Sequence, residues 1–110
     1  MPESQLRKGA IELVVLGLLD SSASYGGQLL ERLTTEAGVN VSSGTLYPLL
    51  ARLRKTQLVK TSWEESPVGP PRKRYELTST GTKRLNELKE EWDLLNQAII
   101  KTTSTKDGNR

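Results

Sequence analysis

The chain has neither cysteine nor histidine among its 110 residues. Disulfides, thiolate chemistry, imidazole acid–base catalysis and the usual zinc ligand sets are therefore excluded. An enzyme would then need paired carboxylates or an Asp/Glu metal cage, but the acidic residues cluster beside one helical seam and there is no glycine-rich phosphate loop. We expect no catalytic residue, no metal and no cofactor, and we predict that the protein is not an enzyme.

Long apolar runs are also missing. The longest, Leu13 to Leu19, is far shorter than the roughly 20 residues that span a bilayer. Arg7 and Lys8 before it resemble the start of a signal peptide, but Glu12 interrupts the apolar stretch. Cleavage there would remove the most hydrophobic helix of a small domain. We therefore expect a cytoplasmic protein, which the absence of cysteine suits.

Charge is unevenly distributed along a chain whose length fits one domain. The net charge is only +3, yet residues 52–74 carry seven basic side chains against two glutamates. Residues 87–93 reverse this balance, with four acidic side chains against one lysine. A basic middle segment suits a polyanionic partner, although a charge run by itself is more often a solvated face.

Two predicted helices carry more apolar surface than one small core needs. The first, from Gln5 to Leu19, is apolar on several sides, so we expect the core and a second subunit to cover it. The last begins at Thr78 or Ser79 and extends to Lys101. Its apolar residues step by three and four positions, which is the spacing of a heptad seam. This seam, our predicted dimer interface, consists of Leu85, Leu88, Trp92, Leu95 and Ile99.

A second helix is predicted from Tyr25 to Glu36, with Ser24 as its N-cap and Gly38 ending it. Gly26 and Gly27 in the first turn lower helix propensity by about 1 kcal/mol each relative to alanine. We expect a close approach of another helix to compensate for that cost, because no side chain stands in the way.

A third helix is predicted from Ser42 or Ser43, either of which can cap it, to Thr56. Pro48 predicts an irregular first part rather than a broken helix. The buried stripe is expected to be Leu46, Leu49, Leu50 and Leu53.

Beyond this helix the period of the sequence changes from helical to alternating. Leu58 to Glu65 alternates and is rich in β-branched and aromatic residues, which predicts a strand. Residues 66–71 hold three of the five prolines and predict a loop. Arg72 to Thr78 is the predicted returning strand, with Tyr75 and Leu77 on one face. The result is a two-stranded hairpin with a stiff tip.

The order helix, helix, helix, strand, strand, helix predicts a mainly α (α+β) winged helix-turn-helix fold with a long C-terminal helix. Residues 1–78 form the predicted DNA-binding domain, residues 79–102 a dimerisation helix packed on it, and residues 103–110 a disordered tail. In such a fold the third helix enters the major groove, which is about 12 Å wide, while the hairpin, or wing, reaches nearby phosphates.

The side chains at the start of the third helix and on the wing suit a DNA contact. Hydroxyls and a phenol are able to touch phosphates and base edges, and the wing supplies concentrated positive charge. Taken singly, the serines equally fit a role as caps, Tyr47 a role in packing, and the wing cations a solvated turn. Strand alternation puts Arg72 and Arg74 on the face opposite Lys73. The predicted DNA-binding residues are Ser42, Ser43, Gly44, Thr45, Tyr47, Pro48, Arg52, Arg72, Lys73 and Arg74.

Five segments carry a resemblance to a known family. They are residues 6–9 (LRKG), 25–26 (YG), 43–53 (SGTLYPLLARL), 69–78 (GPPRKRYELT) and Gly81. Together they resemble the PadR family of transcriptional regulators over nearly the whole chain. The short length and single C-terminal helix are similar to the short-chain subfamily.

The resemblance implies a prokaryotic repressor, often autoregulating, that binds double-stranded DNA as a homodimer joined through its C-terminal helix. It places Tyr47 and its neighbours at the DNA, and Arg72 and Lys73 on the wing. The chain departs from the family at Gly27, where an aromatic residue often stands, and at Arg74, which replaces the first of a frequent tyrosine pair. These departures leave the operator sequence and the wing contacts open.

Several relatives respond to phenolic compounds or flat aromatic drugs, which some short members bind between tryptophans of the last helix. Trp92 occupies a similar place here, although its position in the seam equally predicts plain dimer packing. The residues expected to line such a ligand pocket are Ile11, Val15, Leu88 and Trp92.

The sequence as a whole predicts a sequence-specific transcriptional regulator. We expect an autoregulating repressor that binds a pseudo-palindromic operator and is released by a small aromatic or phenolic effector. The alternative is a winged-helix module for a protein or RNA partner, because the fold does not fix the partner. Three consecutive cations after Pro70 and Pro71 favour DNA.

Overall fold

Four helices and three strands make up residues 4–104, the part of the chain that a computed structural model describes. This confirms the mainly helical winged helix-turn-helix fold with a long last helix. The elements are α1 (Gln5–Ser21), β1 (Ser24–Tyr25), α2 (Gly26–Thr35), α3 (Ser43–Lys55), β2 (Val59–Glu64), β3 (Arg72–Leu77) and α4 (Ser79–Thr103).

The wing has one strand more than the sequence predicts. Its antiparallel sheet has the order β1-β3-β2, and Ser24 and Tyr25 pair with Tyr75 and Arg74 of β3. The prediction that Ser24 caps α2 is therefore wrong. Tyr25 is the N-cap, and its N–H donates to the Gln28 side chain at 2.9 Å. The buried Ser24 belongs to a strand of two residues, which is too short to leave a periodic signal in the sequence.

Arg32 on α2 ties β1 to the end of α1. Its guanidinium donates to the carbonyls of Leu18 and Ser22, both at 3.0 Å, and so satisfies acceptors at the C-terminus of α1. It also donates to the Ser24 hydroxyl at 2.7 Å, and its side chain is only 12% exposed. This network fixes β1 at the edge of the sheet.

The core lies where α1, α2, α3 and the sheet meet. Every member of the predicted α3 stripe is buried, which confirms that stripe. Helix α3 runs unbroken through Pro48. The buried hydrophobic residues are Ile11, Val15, Leu16, Leu19, Leu29, Leu33, Leu46, Leu49, Leu50, Leu53, Val59 and Tyr75.

Two glycines have backbone roles, one of which, at Gly38, the sequence predicts. Gly38 has φ +70° and its N–H donates to the Thr34 carbonyl at 3.2 Å, which ends α2 in the left-handed conformation that glycine favours. Gly81 lies against the loop before the wing, where a Cβ would be 2.1 Å from the Leu58 carbonyl oxygen. Helix α4 therefore starts where only glycine fits.

Helix α4 starts at the predicted cap and continues past its predicted end. The Thr78 hydroxyl accepts from the Gly81 N–H at 2.9 Å, and the helix extends to Thr103 instead of Lys101. The first residue of the predicted tail is thus helical, while residues 105–110 of that tail lie outside the described residues. The far half of α4 projects from a molecule whose longest extent is 62 Å.

Candidate nucleic-acid interface

The first turn of α3 is exposed and regularly capped. The Ser42 hydroxyl accepts from the Thr45 N–H at 3.2 Å, so Ser42 is the cap, while Ser43 and Gly44 face solvent. The turn before α3 is held by Arg7, whose guanidinium donates to the Asn40 carbonyl. The capping role of Ser42 and a role at a ligand are compatible here, because the side chain is exposed.

Tyr47 lies one turn further along α3, partly packed and partly exposed. Its side chain lies over Gly26, where a Cβ would be 2.7 Å from Cε1 and 2.8 Å from the phenol oxygen. The residue is nevertheless 42% exposed. The expected close approach is thus found at Gly26 but not at Gly27, which has nothing within 4 Å of an added Cβ.

Arg52 reaches from α3 to α1. Its Nη2 atom forms a 2.7 Å ion pair with Glu12 on that helix. The groove between α1 and α3 has a volume of about 300 Å³ and is also lined by Lys8, Thr45 and Pro48. Lys8 is a cation at this surface that our sequence reasoning missed. Its position depends on how α1 packs against α3, which no local pattern reveals.

The three wing cations divide between two faces of the sheet, as the alternation predicts. Lys73 Nζ is 5.5 Å from the ring centre of Trp63 and 6.0 Å from that of Tyr75. Burial raises the pKa of the Tyr75 phenol above its usual value. A groove of about 390 Å³ joins this region to α3, lined in part by Gly26, Tyr47 and Lys73.

The opposite face of the wing holds a compact set of charges. The Arg72 guanidinium stacks 4.0 Å from the centre of the Tyr25 ring. The Tyr25 hydroxyl donates to Glu64 at 2.5 Å, and this hydrogen bond raises the pKa of the phenol. Arg74 is paired with Glu64 at 3.6 Å and with Glu76 at 3.3 Å. Arg72 also lines the groove beside Tyr47, whereas Arg74 does not.

The predicted dimer seam divides into a packed half and an exposed half. Leu85 and Leu88 pack against the core. Trp92, Leu95 and Ile99 are 38%, 54% and 53% exposed, which leaves an apolar stripe uncovered on the far half of α4. Such a stripe in a chain this small suits a second helix packed along it.

The four predicted pocket residues do not share one cavity. Val15 is fully buried in the core, so it lines no accessible site in this chain. Leu88 and Trp92 line a cleft of about 220 Å³ against α1, and Ile11 and Trp92 line a separate cleft of about 380 Å³. The sequence places Val15 on the helix stripe but does not reveal that it is buried completely within the core.

Residues 4–104 contain no group of three or more Asp or Glu side chains arranged to hold a metal ion. Among the same residues, no helix combines the length and the apolar character needed to cross a membrane.

The comparisons with known proteins agree on one family. The model of the transcriptional regulator PadR-like family matches residues 15–87. A PadR-like transcription factor from Bacteroides fragilis is 40% identical, with a TM-score of 0.78 over 90% of this chain and 95% of that one. A Streptococcus transcriptional regulator is 36% identical, with a TM-score of 0.82 over 93% and 100%. A PadR family regulator from Eggerthella lenta is 31% identical, with a TM-score of 0.84 over 93% and 88%.

Proposed function

The chain belongs to the PadR-like family of transcriptional regulators, and from this we propose that it is an autoregulating repressor whose dimer binds a pseudo-palindromic operator through α3 and the wing. It is a DNA-binding regulator and not an enzyme.

The observation that carries this proposal is a groove lined by both α3 and the wing. Tyr47 and Lys73 line one groove, and the exposed hydroxyls of Ser42 and Ser43 lie at the start of the same helix. A helix with exposed polar side chains suits the major groove, and a neighbouring cation suits the phosphates beside it. The proposed contacts are Ser42, Ser43, Gly44, Thr45, Tyr47, Pro48, Arg72 and Lys73, with Lys8 and Arg52 towards α1. Arg74, on the face of the wing opposite Lys73, would join them only by leaving its ion pairs with Glu64 and Glu76.

The uncovered stripe on α4 supports a homodimer. Two copies joined along Trp92, Leu95 and Ile99 would present two α3 helices, and two-fold symmetry would require a pseudo-palindromic site with half-sites about 34 Å apart. Four to six cations per dimer at phosphates would give a slope of log K against log[salt] of roughly −4 to −5.

The test of function is a fluorescence-anisotropy titration against the duplex immediately upstream of the protein's own reading frame. We expect salt-dependent binding that is tighter than to a scrambled duplex and that collapses in Tyr47→Ala. Equal binding to both duplexes, with Tyr47→Ala unchanged, would contradict autoregulation through α3. Tighter binding to single-stranded RNA of equal length would favour the other winged-helix function, an RNA-binding module.

The proposed effector is a flat aromatic or phenolic molecule held beside Trp92 in the dimer. The two clefts along α1 that Trp92 lines support this, and Glu91 in one of them favours a cationic aromatic. In a Trp63→Phe background Trp92 is the remaining tryptophan. Planar cationic dyes should quench its emission and weaken DNA binding. Unchanged emission would leave Trp92 with a packing role alone.

A further inference from the structure

The charge of the wing is partly neutralised by the protein itself. Arg74 lies between two carboxylates, Glu64 on the neighbouring strand and Glu76 on its own strand. Strand pairing sets this arrangement, because Ser62 is the direct partner of Arg74 and Glu64 is the diagonal neighbour on the same face. The wing therefore has three consecutive cationic residues in sequence, but two carboxylates of the same chain neutralise one of them, Arg74.

Glu64 occupies the centre of this charged face. One of its oxygens accepts from the Tyr25 hydroxyl, and the other is 3.6 Å from Arg74 Nε. Tyr25 in turn supports the Arg72 guanidinium on its ring. One carboxylate thus contacts Arg74 directly and Arg72 through Tyr25.

Lys73 differs from both arginines. Its neighbours are the rings of Trp63 and Tyr75, and it has no ion pair within residues 4–104. No carboxylate of the described residues holds Lys73, so its ammonium group is available to a phosphate.

We propose that Glu64 sets the affinity of the wing for the DNA backbone by holding Arg74 in an internal ion pair. This rests on the proposed function, in which the wing lies at the phosphates. The free wing presents Lys73 and the ring-supported Arg72, while Arg74 reaches a phosphate only by leaving its carboxylates. Arg74, which stands where relatives often have the first of two tyrosines, is thereby held by a carboxylate of the same chain.

The size of the effect follows from the exposure of the pair. Arg74 and Glu64 are 37% and 42% exposed, and exposed ion pairs are weak. Releasing Arg74 in both protomers should tighten binding about three- to tenfold at low salt. Each newly bound phosphate steepens the salt slope by about 0.9, so the dimer should gain between about 1 and 2.

The experiment measures affinity and salt slope of the full chain on a duplex of random sequence, which makes it independent of the operator. The test variant is Glu64→Gln, which removes the charge but keeps a carbonyl oxygen for the Tyr25 hydroxyl. The matched control is Glu65→Gln, the adjacent exposed glutamate, for which no ion pair is found in residues 4–104. We expect Glu64→Gln to show the tightening and the steeper slope, and Glu65→Gln to change affinity by less than about twofold.

A double-mutant cycle with Arg74→Gln tests whether Glu64 acts through Arg74. In the Arg74→Gln background, Glu64→Gln should no longer tighten binding. Persistence of the gain would overturn the proposal, because Glu64 would then repel the phosphates directly. Equal gains from Glu64→Gln and Glu65→Gln would overturn it as well, since net charge alone would explain them.

Two further variants distinguish a failure of this inference from a failure of the proposed wing contact. Glu76→Gln removes the other partner of Arg74 and should act in the same direction, which covers a Glu64 variant that folds poorly. Lys73→Gln should weaken binding and flatten the slope if the wing lies at the backbone. No change in Lys73→Gln would overturn the wing contact itself and this inference with it. A weakened Lys73→Gln beside an unchanged Glu64→Gln would overturn the inference alone.

Discussion

At the scale of single residues, the contact between Gly26 and Tyr47 couples the start of α2 to the side chain proposed for the major groove. An added Cβ at Gly26 would lie 2.7 Å from the Tyr47 ring, at the movable end of a side chain rather than at backbone. Tyr47 would therefore shift while the fold remains. Tyr47 depends on this glycine for its position above the groove.

We predict that Gly26→Ala weakens operator binding about tenfold, or about 1.4 kcal/mol. The free energy of unfolding should change by less than about 1 kcal/mol, because the better helix propensity of alanine offsets the repacking. Anisotropy titrations and urea unfolding measure the two quantities.

Gly27→Ala is the matched control, since its Cβ meets nothing within 4 Å. It should bind DNA normally and be stabilised by about 0.5–1 kcal/mol. In a Tyr47→Ala background, Gly26→Ala should have no further effect on binding. An equal loss of affinity in both glycine variants would show that the backbone of α2, and not Tyr47, is responsible.

At the scale of elements, the Arg32 network determines how the sheet edge joins the helices. We predict that Arg32→Gln lowers the free energy of unfolding by about 2–3 kcal/mol, because hydrogen bonds of a charged donor to several acceptors are lost together. Urea denaturation measures this. The control Arg84→Gln removes an exposed pair with Glu87 at 3.7 Å and should cost less than about 0.5 kcal/mol. Similar losses in the two variants would refute a special role for Arg32.

The elements also show which features a sequence reveals. The buried stripe of α3 and the caps at Ser42 and Thr78 are local patterns, and the structure has them as predicted. Strand β1 was missed because two residues carry no period and their pairing partner lies about fifty residues away.

In the candidate site, too, local patterns were predictable and contacts between distant parts of the chain were not. Alternation predicted the two faces of the wing, but the ion pairs of Arg74 and Arg52 depend on strand register and on helix packing. The contact of Tyr47 with Gly26 joins two helices in space. Pattern reasoning identified residue types suited to DNA, and it could not show which cations the fold already engages.

At the scale of the whole molecule, the far half of α4 carries an apolar stripe that this chain alone leaves uncovered. We predict that Leu95→Glu converts the proposed dimer to a monomer at micromolar concentration, because a charge cannot be buried in the seam without a partner. Sedimentation velocity measures the mass. Gln97→Glu adds the same charge on the opposite face of the helix and should leave the dimer intact. A dimeric Leu95→Glu would place the interface elsewhere.

In the proposed complex, two α3 helices joined through α4 bind one operator together. Hydroxyl-radical footprinting on the tightest duplex selected from a random pool tests this arrangement. We expect two protected patches centred about 10 base pairs apart and related by two-fold symmetry, both lost in Leu95→Glu at concentrations where the wild type is fully bound. A single protected patch, or a footprint unchanged in Leu95→Glu, would contradict it.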